Sequence, residues 1–366
     1  MICLLFWHDF SRAQEENEST NAPKYSNEFL QIGVGARALG MGNALVAGVN
    51  DVTAGYWNPA GLVQIENNLE FALMHSEYFA GIAKYDYLAV AHKLDEESAI
   101  GFSALRFGVD DIPNTTQLIN NEGNIDYDRI TLFTAADYAF LFSYARKLNA
   151  IEGLNVGANV KIVHRRAGEF ARAWGFGIDA GAQYKLKDWE FGAMMRDVTA
   201  TPNAWIFNLD AQMQEVFIET GNEIPENGLE FTLPRMILAG RRKFNIGEKG
   251  IHLAPELNAI VTTDGKRNTL LKSNLFSIDP VFGLEVGYQQ LVAIRAGVSN
   301  FQYLKNFDGT DYLTFQPNIG LGVTLKGVTL DYAFTNIGNQ SDAIFSHVIS
   351  LKFGFKEPFK KNEATR

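Results

Sequence analysis

The segment from Tyr312 to Leu325, YLTFQPNIGLGVTL, alternates without a break. Leu313, Phe315, Ile319, Leu321, Val323 and Leu325 fall on one face, and Thr314, Gln316, Asn318, Gly320, Gly322 and Thr324 on the other. Side chains two apart share a face of a strand, so this is a strand with one apolar side and one polar, glycine-rich side. The same dyad organises AWGFGIDAGAQYKL, where Trp174, Phe176 and Ile178 oppose Gly175, Gly177 and Asp179. It recurs over 154–162, 251–261, 282–288 and 328–334. Fourteen such strands are expected. They begin near Asn68, Lys84, Ser98, Thr134, Gly153, Ala173, Asp188, Arg235, Gly250, Ser277, Val292, Asp311, Gly327 and Phe345.

The connections sort by parity. Tight turns (LDEE, NAIEG, KD, IGEKG, QQL and KG) follow the even strands, whereas long polar stretches at 109–133, 198–234, 262–276 and 300–310 follow odd ones. A soluble sandwich has no reason to do this. A barrel inserted from one side of a membrane does, with short turns at the periplasmic rim and long loops outside. The polar face carries the glycines and the apolar face is large on nearly every strand, which suits lipid outside and a polar lumen within. Aromatics near strand ends (Phe71, Tyr85, Tyr138, Tyr144, Trp174, Trp189, Tyr288, Tyr303, Tyr312 and Phe355) are expected to form the interfacial girdles. The fold class is therefore all-β: a 14-stranded antiparallel transmembrane β-barrel.

Composition removes other classes. A net charge of −10 with no basic cluster argues against nucleic acid as a partner. The single cysteine, Cys3, lies in the opening run MICLLFWHDFSRAQ, read as a secretory signal over 1–14 and truncated at its start. A mature chain without cysteine has no disulfide and no thiolate ligand. The six histidines have no metal-ligand spacing, and no Gly-x-Ser-x-Gly elbow exists. His164, beside Arg165 and Arg166, is the best catalytic candidate, against a plain role as a solvated strand end. No cofactor is expected. Inward charges at Lys161, Asp179, Glu256, Glu285, Arg295, Asp331 and Lys352 carry both signs and read as a paired, hydrated lumen wall.

Ahead of the barrel lies GARALGMGNALVAGVNDVTAGYWNPAGL, residues 35–62. Its glycine spacing is superficially that of a dinucleotide loop, but no buried strand precedes it and no βαβ unit follows. The alternative is a small helical hatch in the lumen. One helix is capped by Asn50 or Asp51; the other has Asn58 as N-cap and Pro59 at its first position. The organisation expected is then a periplasmic lead and hatch over 15–66, the barrel over 67–355 and a charged periplasmic tail over 356–366, with both termini periplasmic.

This hatch segment resembles that of the FadL-like outer-membrane barrels, with a Gly-x-Arg-Ala-x-x-x-Gly run followed by Asn-Pro-Ala-Gly. With the Tyr-Trp before the Asn-Pro it is similar to the PorV/PorQ family of the Bacteroidetes. Gly35, Arg37, Gly40 and Gly42 match the glycine run, and Asn58, Pro59, Ala60 and Gly61 the second element. LPRMILAGRRKF (233–244), VAIRAGVSN (292–300), GLGVTLKGVTLDYAF (320–334) and HVISLKFGF (347–355) extend the resemblance over most of the chain.

The PorV/PorQ resemblance implies a barrel of the type IX secretion system in the outer membrane. Its partners would be outer-membrane lipid, a translocon, and secreted proteins with C-terminal sorting domains. Cargo would meet the long outer loops, where Trp205, Ile206, Phe207, Leu209, Met213 and Phe217 form an apolar surface, or else a lid folded inward. The FadL-like fold implies an alternative, diffusion of a hydrophobic small-molecule ligand. Fold alone does not choose between them.

Overall fold

The computed structural model describes residues 25–118, 123–263, 267–336 and 345–356. The expected signal, most of the lead and the tail beyond Lys356 lie outside them. Among the described residues, eighteen strand segments form one closed antiparallel sheet. Twelve staves are single segments: β1 (Leu69–Tyr78), β2 (Ala83–Lys93), β3 (Ser98–Asn114), β4 (Thr131–Lys147), β5 (Leu154–Ala167), β6 (Ala171–Leu186), and, after two broken ones, those from β9 onward. Stave β7 comprises Trp189–Arg196 and Thr201–Phe207, which lie end to end along β6. Stave β8 comprises Gly228–Thr232 and Arg235–Arg242, prolonged by Phe244–Ile246, and β9 is Ile251–Thr262; the short Leu271–Lys272 pairs with Ser277 and Ile278 on the edge opposite β9. The rest are β10 (Ser277–Tyr288), β11 (Val292–Lys305), β12 (Asp311–Leu325), β13 (Val328–Asn336) and β14 (Phe345–Phe355). β14 pairs back onto β1, from Leu69 opposite Phe355 to Glu77 opposite His347. Fourteen staves close the barrel and leave no edge for lipid to meet.

The two faces are inverted relative to a soluble protein. Leu88, Phe142, Val160, Phe176, Leu257, Ile319 and Leu330 are exposed on the outside. The buried core is the hatch itself, with Val34, Met41, Leu45, Val49, Tyr56, Leu62 and Ile65 almost wholly inaccessible. One aromatic departs from the expected girdle: Tyr85 points into the lumen and is fully buried.

The inward glycines are where the hatch backbone lies against the wall. A Cβ on Gly157 would sit 2.6 Å from Ala60 N, and one on Gly297 would overlap the Met41 carbonyl group. On the hatch side, a Cβ on Gly40 would sit 2.8 Å from the Gly320 Cα. Wall glycine and hatch glycine thus answer one steric demand.

Two expectations change. The 198–234 stretch is not all loop: Thr201–Phe207 and Gly228–Thr232 continue the barrel wall as a tall hairpin, capped by the helix Ala211–Glu219. The described end of the expected lead, from Tyr25, is the second. Arg267, in the loop between β9 and β10 at the long-loop rim, stacks its guanidinium over the Tyr25 ring at 4.8 Å. The described chain therefore starts near that rim, not below the barrel.

Candidate functional site

The plugged lumen is the candidate site, and the hatch builds it. Helix α1 (Ala36–Gly40) carries Arg37; α2 (Ala54–Trp57) and the 3-10 turn Pro59–Gln64 carry the second motif. Asn58 is the N-cap of that turn as expected: its Oδ1 accepts from Ala60 N at 3.3 Å and Pro59 follows at the first position. Its Nδ2 donates to Val46 O at 3.1 Å and to Ala182 O on the wall at 3.0 Å. The cap of α2 is Thr53, not Asn50 or Asp51. Asp51 instead accepts from Thr53 N at 3.0 Å, which frees its other oxygen for Lys352 at 2.9 Å.

Inward polar side chains of the wall satisfy the hatch backbone, whose irregular turns leave donors and acceptors unpaired. Glu256 accepts from Ala47 N and Gly48 N at 2.8 and 3.1 Å. Gln183 donates to the carbonyls of Val46, Ala47 and Val49, and Asn159 to that of Gly55. Gly35 and Gly42, at φ +80 and +65, make turns that a side chain would strain. Gly61 packs under Val49 O with no room for a Cβ.

The seven inward charges carry both signs as expected: Lys161, Asp179 and Glu256 are buried against the hatch, whereas Glu285, Arg295, Asp331 and Lys352 line a cavity on the short-turn side. Glu285 accepts from Arg37, from Arg295 Nε at 2.7 Å and from Arg241 Nη2 at 3.4 Å. Arg295 Nη1 reaches Asp331 at 2.6 Å. Lys161 joins Asp179 at 2.9 Å and Asp197 at 2.6 Å. Burial opposes the Arg37 charge, yet Glu285 and Asp51 outweigh it and hold the guanidinium pKa above its ordinary value. Burial alone would raise the Asp51 carboxyl; Lys352, Arg37 and the Thr53 hydroxyl hold it well below the usual carboxylate range.

Sequence reasoning missed Arg196. Its guanidinium stacks over the Tyr56 ring at 4.4 Å and donates to Leu30 O and Tyr56 O at 3.0 and 3.2 Å. It pins the entering chain to the Tyr-Trp pair, while Trp57 Nε1 donates to Val34 O at 2.9 Å. Only its inward parity on β7 signals this role. Above the hatch, on the β1–β3 side, Tyr78, Tyr85 and Phe107 form an aromatic cluster that meets Phe29 and Leu30 in the same core.

The six expected partner-binding residues are not placed on one surface. Trp205 and Phe207 share the lumen-side parity of the buried Thr201 and Asn203; Trp205 Nε1 donates to Glu230 at 2.6 Å beneath Arg165, 5.0 Å from its ring. Leu209, Met213 and Phe217 are half-buried around the helix, and Ile206 is exposed outward with Leu229 and Phe231. His164 also faces outward, stacked on Trp174 at 4.1 Å, with Nδ1 at 3.0 Å from Ala173 O. That is the setting of a solvated or interfacial strand-end ring.

An apolar exterior, a closed antiparallel wall and a lumen plugged by an N-terminal hatch define an outer-membrane type of β-barrel. The particular architecture is FadL-like. The chain is similar to the CymD monoaromatic hydrocarbon channel (15% identity, TM-score 0.55), covering 89% of this chain and 98% of that one. It is also similar to the Pseudomonas putida toluene transporter TodX (15%, 0.53, covering 89% and 99%). A Pseudomonas aeruginosa FadL homologue aligns with TM-score 0.50 at 13% identity, covering 88% and 98%. No protein-family model matches the chain, and no curated protein does.

Proposed function

We propose that this chain takes up hydrophobic small molecules across the outer membrane, with its C-terminal tail in the periplasm. The carrying observation is the aromatic lining above the hatch. Tyr78, Tyr85 and Phe107 pack with Phe29 and Leu30 into an apolar cluster on the long-loop side, whereas the short-turn side is a polar vestibule around Arg241, Glu285 and Lys352. Such a gradient suits capture of an apolar solute from outside. The similarity in fold to a monoaromatic hydrocarbon channel and a toluene transporter supports the reading by analogy.

The test is uptake of a labelled monoaromatic hydrocarbon by cells with and without the gene, alongside mass spectrometry of lipids and proteins that co-purify in mild detergent. Faster uptake or a stoichiometric apolar ligand is the expected result. Unchanged uptake and no ligand would sink it.

A second reading, secretion of the PorV/PorQ kind, draws on the tall hairpin of β7 and β8. Ile206, Ile218, Leu229 and Phe231 leave it with exposed apolar side chains. A translocon barrel, or proteins ending in a sorting domain, in the same purification would favour it.

A further inference from the structure

The apolar belt is interrupted on one side of the barrel. His75 stands six residues above the short-turn end of β1, Asp86 seven above that of β2 and Arg106 eight above that of β3. At the same height other staves present Phe140, Val160, Ile178, Ile319 and Ile349. A tilted strand climbs about 2.5 Å per residue, so the polar row lies roughly 15–20 Å up, inside a band about 25 Å tall. His75 and Asp86 are about half exposed, 2.7 Å apart, and Arg106 sits 3.9 Å from Asp86. Charges at this depth facing hydrocarbon are unfavourable and call for a cover.

An anionic lipid head group does not fit. Around Lys84 and Arg106 stand Glu77, Asp86 and Asp110, so carboxylates outnumber the fixed cations. The pairing across the β2–β3 seam points elsewhere. Asp86 is in register with Arg106, Leu88 with Ala104, and Lys84 with Gly108. Each couple sets a charge against its opposite, or a large side chain against a small one. A two-fold axis along the membrane normal at this seam carries each member of a couple onto the other. Asp86 of one copy then meets Arg106 of its mate, and Leu88 meets the hollow over Ala104. Such self-complementarity is what an isologous contact requires. The hollow exists: an open groove of about 540 Å³ lies between Leu88, Ala104, Phe140, Leu73, Ile349 and Leu351.

We propose that the β2–β3 face is the contact between two copies of this chain within the membrane. The test uses the full chain in its native outer membrane, in a Cys3→Ser background, with Ala104→Cys treated by a short bis-maleimide. A dimer band is expected for Ala104→Cys and not for Ile319→Cys on the far wall. Arg106→Asp should remove most of that band, and Arg106→Asp with Asp86→Arg should restore it. Heat-modifiable migration checks folding in each variant. No dimer from folded Ala104→Cys, a cross-link to a different protein, or equal dimer from Ile319→Cys would overturn the proposal.

Discussion

Arg37 on the hatch donates from Nε and Nη2 to the two carboxylate oxygens of Glu285 on the barrel wall, at 3.0 and 3.1 Å. The fork fixes the helix α1 against β10 in both position and angle. Glu285 also holds Arg295 and Arg241, so Arg37→Ala leaves the carboxylate compensated while the hatch loses its strongest wall contact. Breaking such a buried pair costs up to about 3–5 kcal/mol, and the surviving partners place this case at the low end. The expected outcome is a folded, heat-modifiable barrel with faster hydrogen exchange over 36–64 and more frequent conductance steps in planar bilayers. Unchanged exchange and conductance would show that the fork does not hold the hatch.

Acid should loosen the same plug through Asp51. Its carboxyl is held below the ordinary 3.8 by Lys352, Arg37 and Thr53, against burial and with Glu70 and Asp331 nearby. A folded-state pKa below the unfolded one gives stability that is complete above about pH 4 and lost as pH falls through the folded value. The Asp51 share of hatch protection should be constant from neutral pH to about 4 and be lost below it. Asp51→Asn should show looser exchange at neutral pH and a weaker acid dependence. An unaltered acid limb in the variant would assign the effect to other carboxylates.

Gly297→Ala tests the fit of glycine to backbone. Its Cβ would overlap the Met41 carbonyl and the Gly42 nitrogen, neither of which is the end of a flexible side chain. Overpacking typically costs about 1–3 kcal/mol, and backbone against backbone belongs at the upper end. A lower temperature of the heat-modifiable transition is expected, with the hatch more open to protease. Gly247→Ala, in a turn where nothing lies near a Cβ, would cost only its positive-φ strain and leave the hatch closed.

The strands and the two rims were legible because lipid outside and a polar lumen inside force strict alternation. Most expected starts fall within two or three residues of the observed ones, as at Ser98, Arg235, Ser277 and Phe345. The 201–207 segment was missed because AWIF does not alternate, and because the breaks at 197–200 and at Leu233–Pro234 reset the parity of β7 and β8. Asn58 was legible as a cap since Asn-Pro has a local meaning. The Arg196 clamp and the upward course of residues 25–31 were not. Both are tertiary choices with no periodic trace.

Tyr85→Phe gives a prediction of unusual sign. The ring is packed 5.9 Å from Phe107 and 6.3 Å from Tyr78, and among the described residues no group hydrogen-bonds its buried hydroxyl. An unsatisfied buried hydroxyl costs about 1–3 kcal/mol, so removing it should be neutral or raise the unfolding temperature. The measurement is thermal unfolding followed by gel migration, paired with binding of a monoaromatic probe. Stabilisation with unchanged binding would make the hydroxyl a local cost of packing an aromatic lining. A lost affinity at unchanged stability would instead make it a contact to the probe.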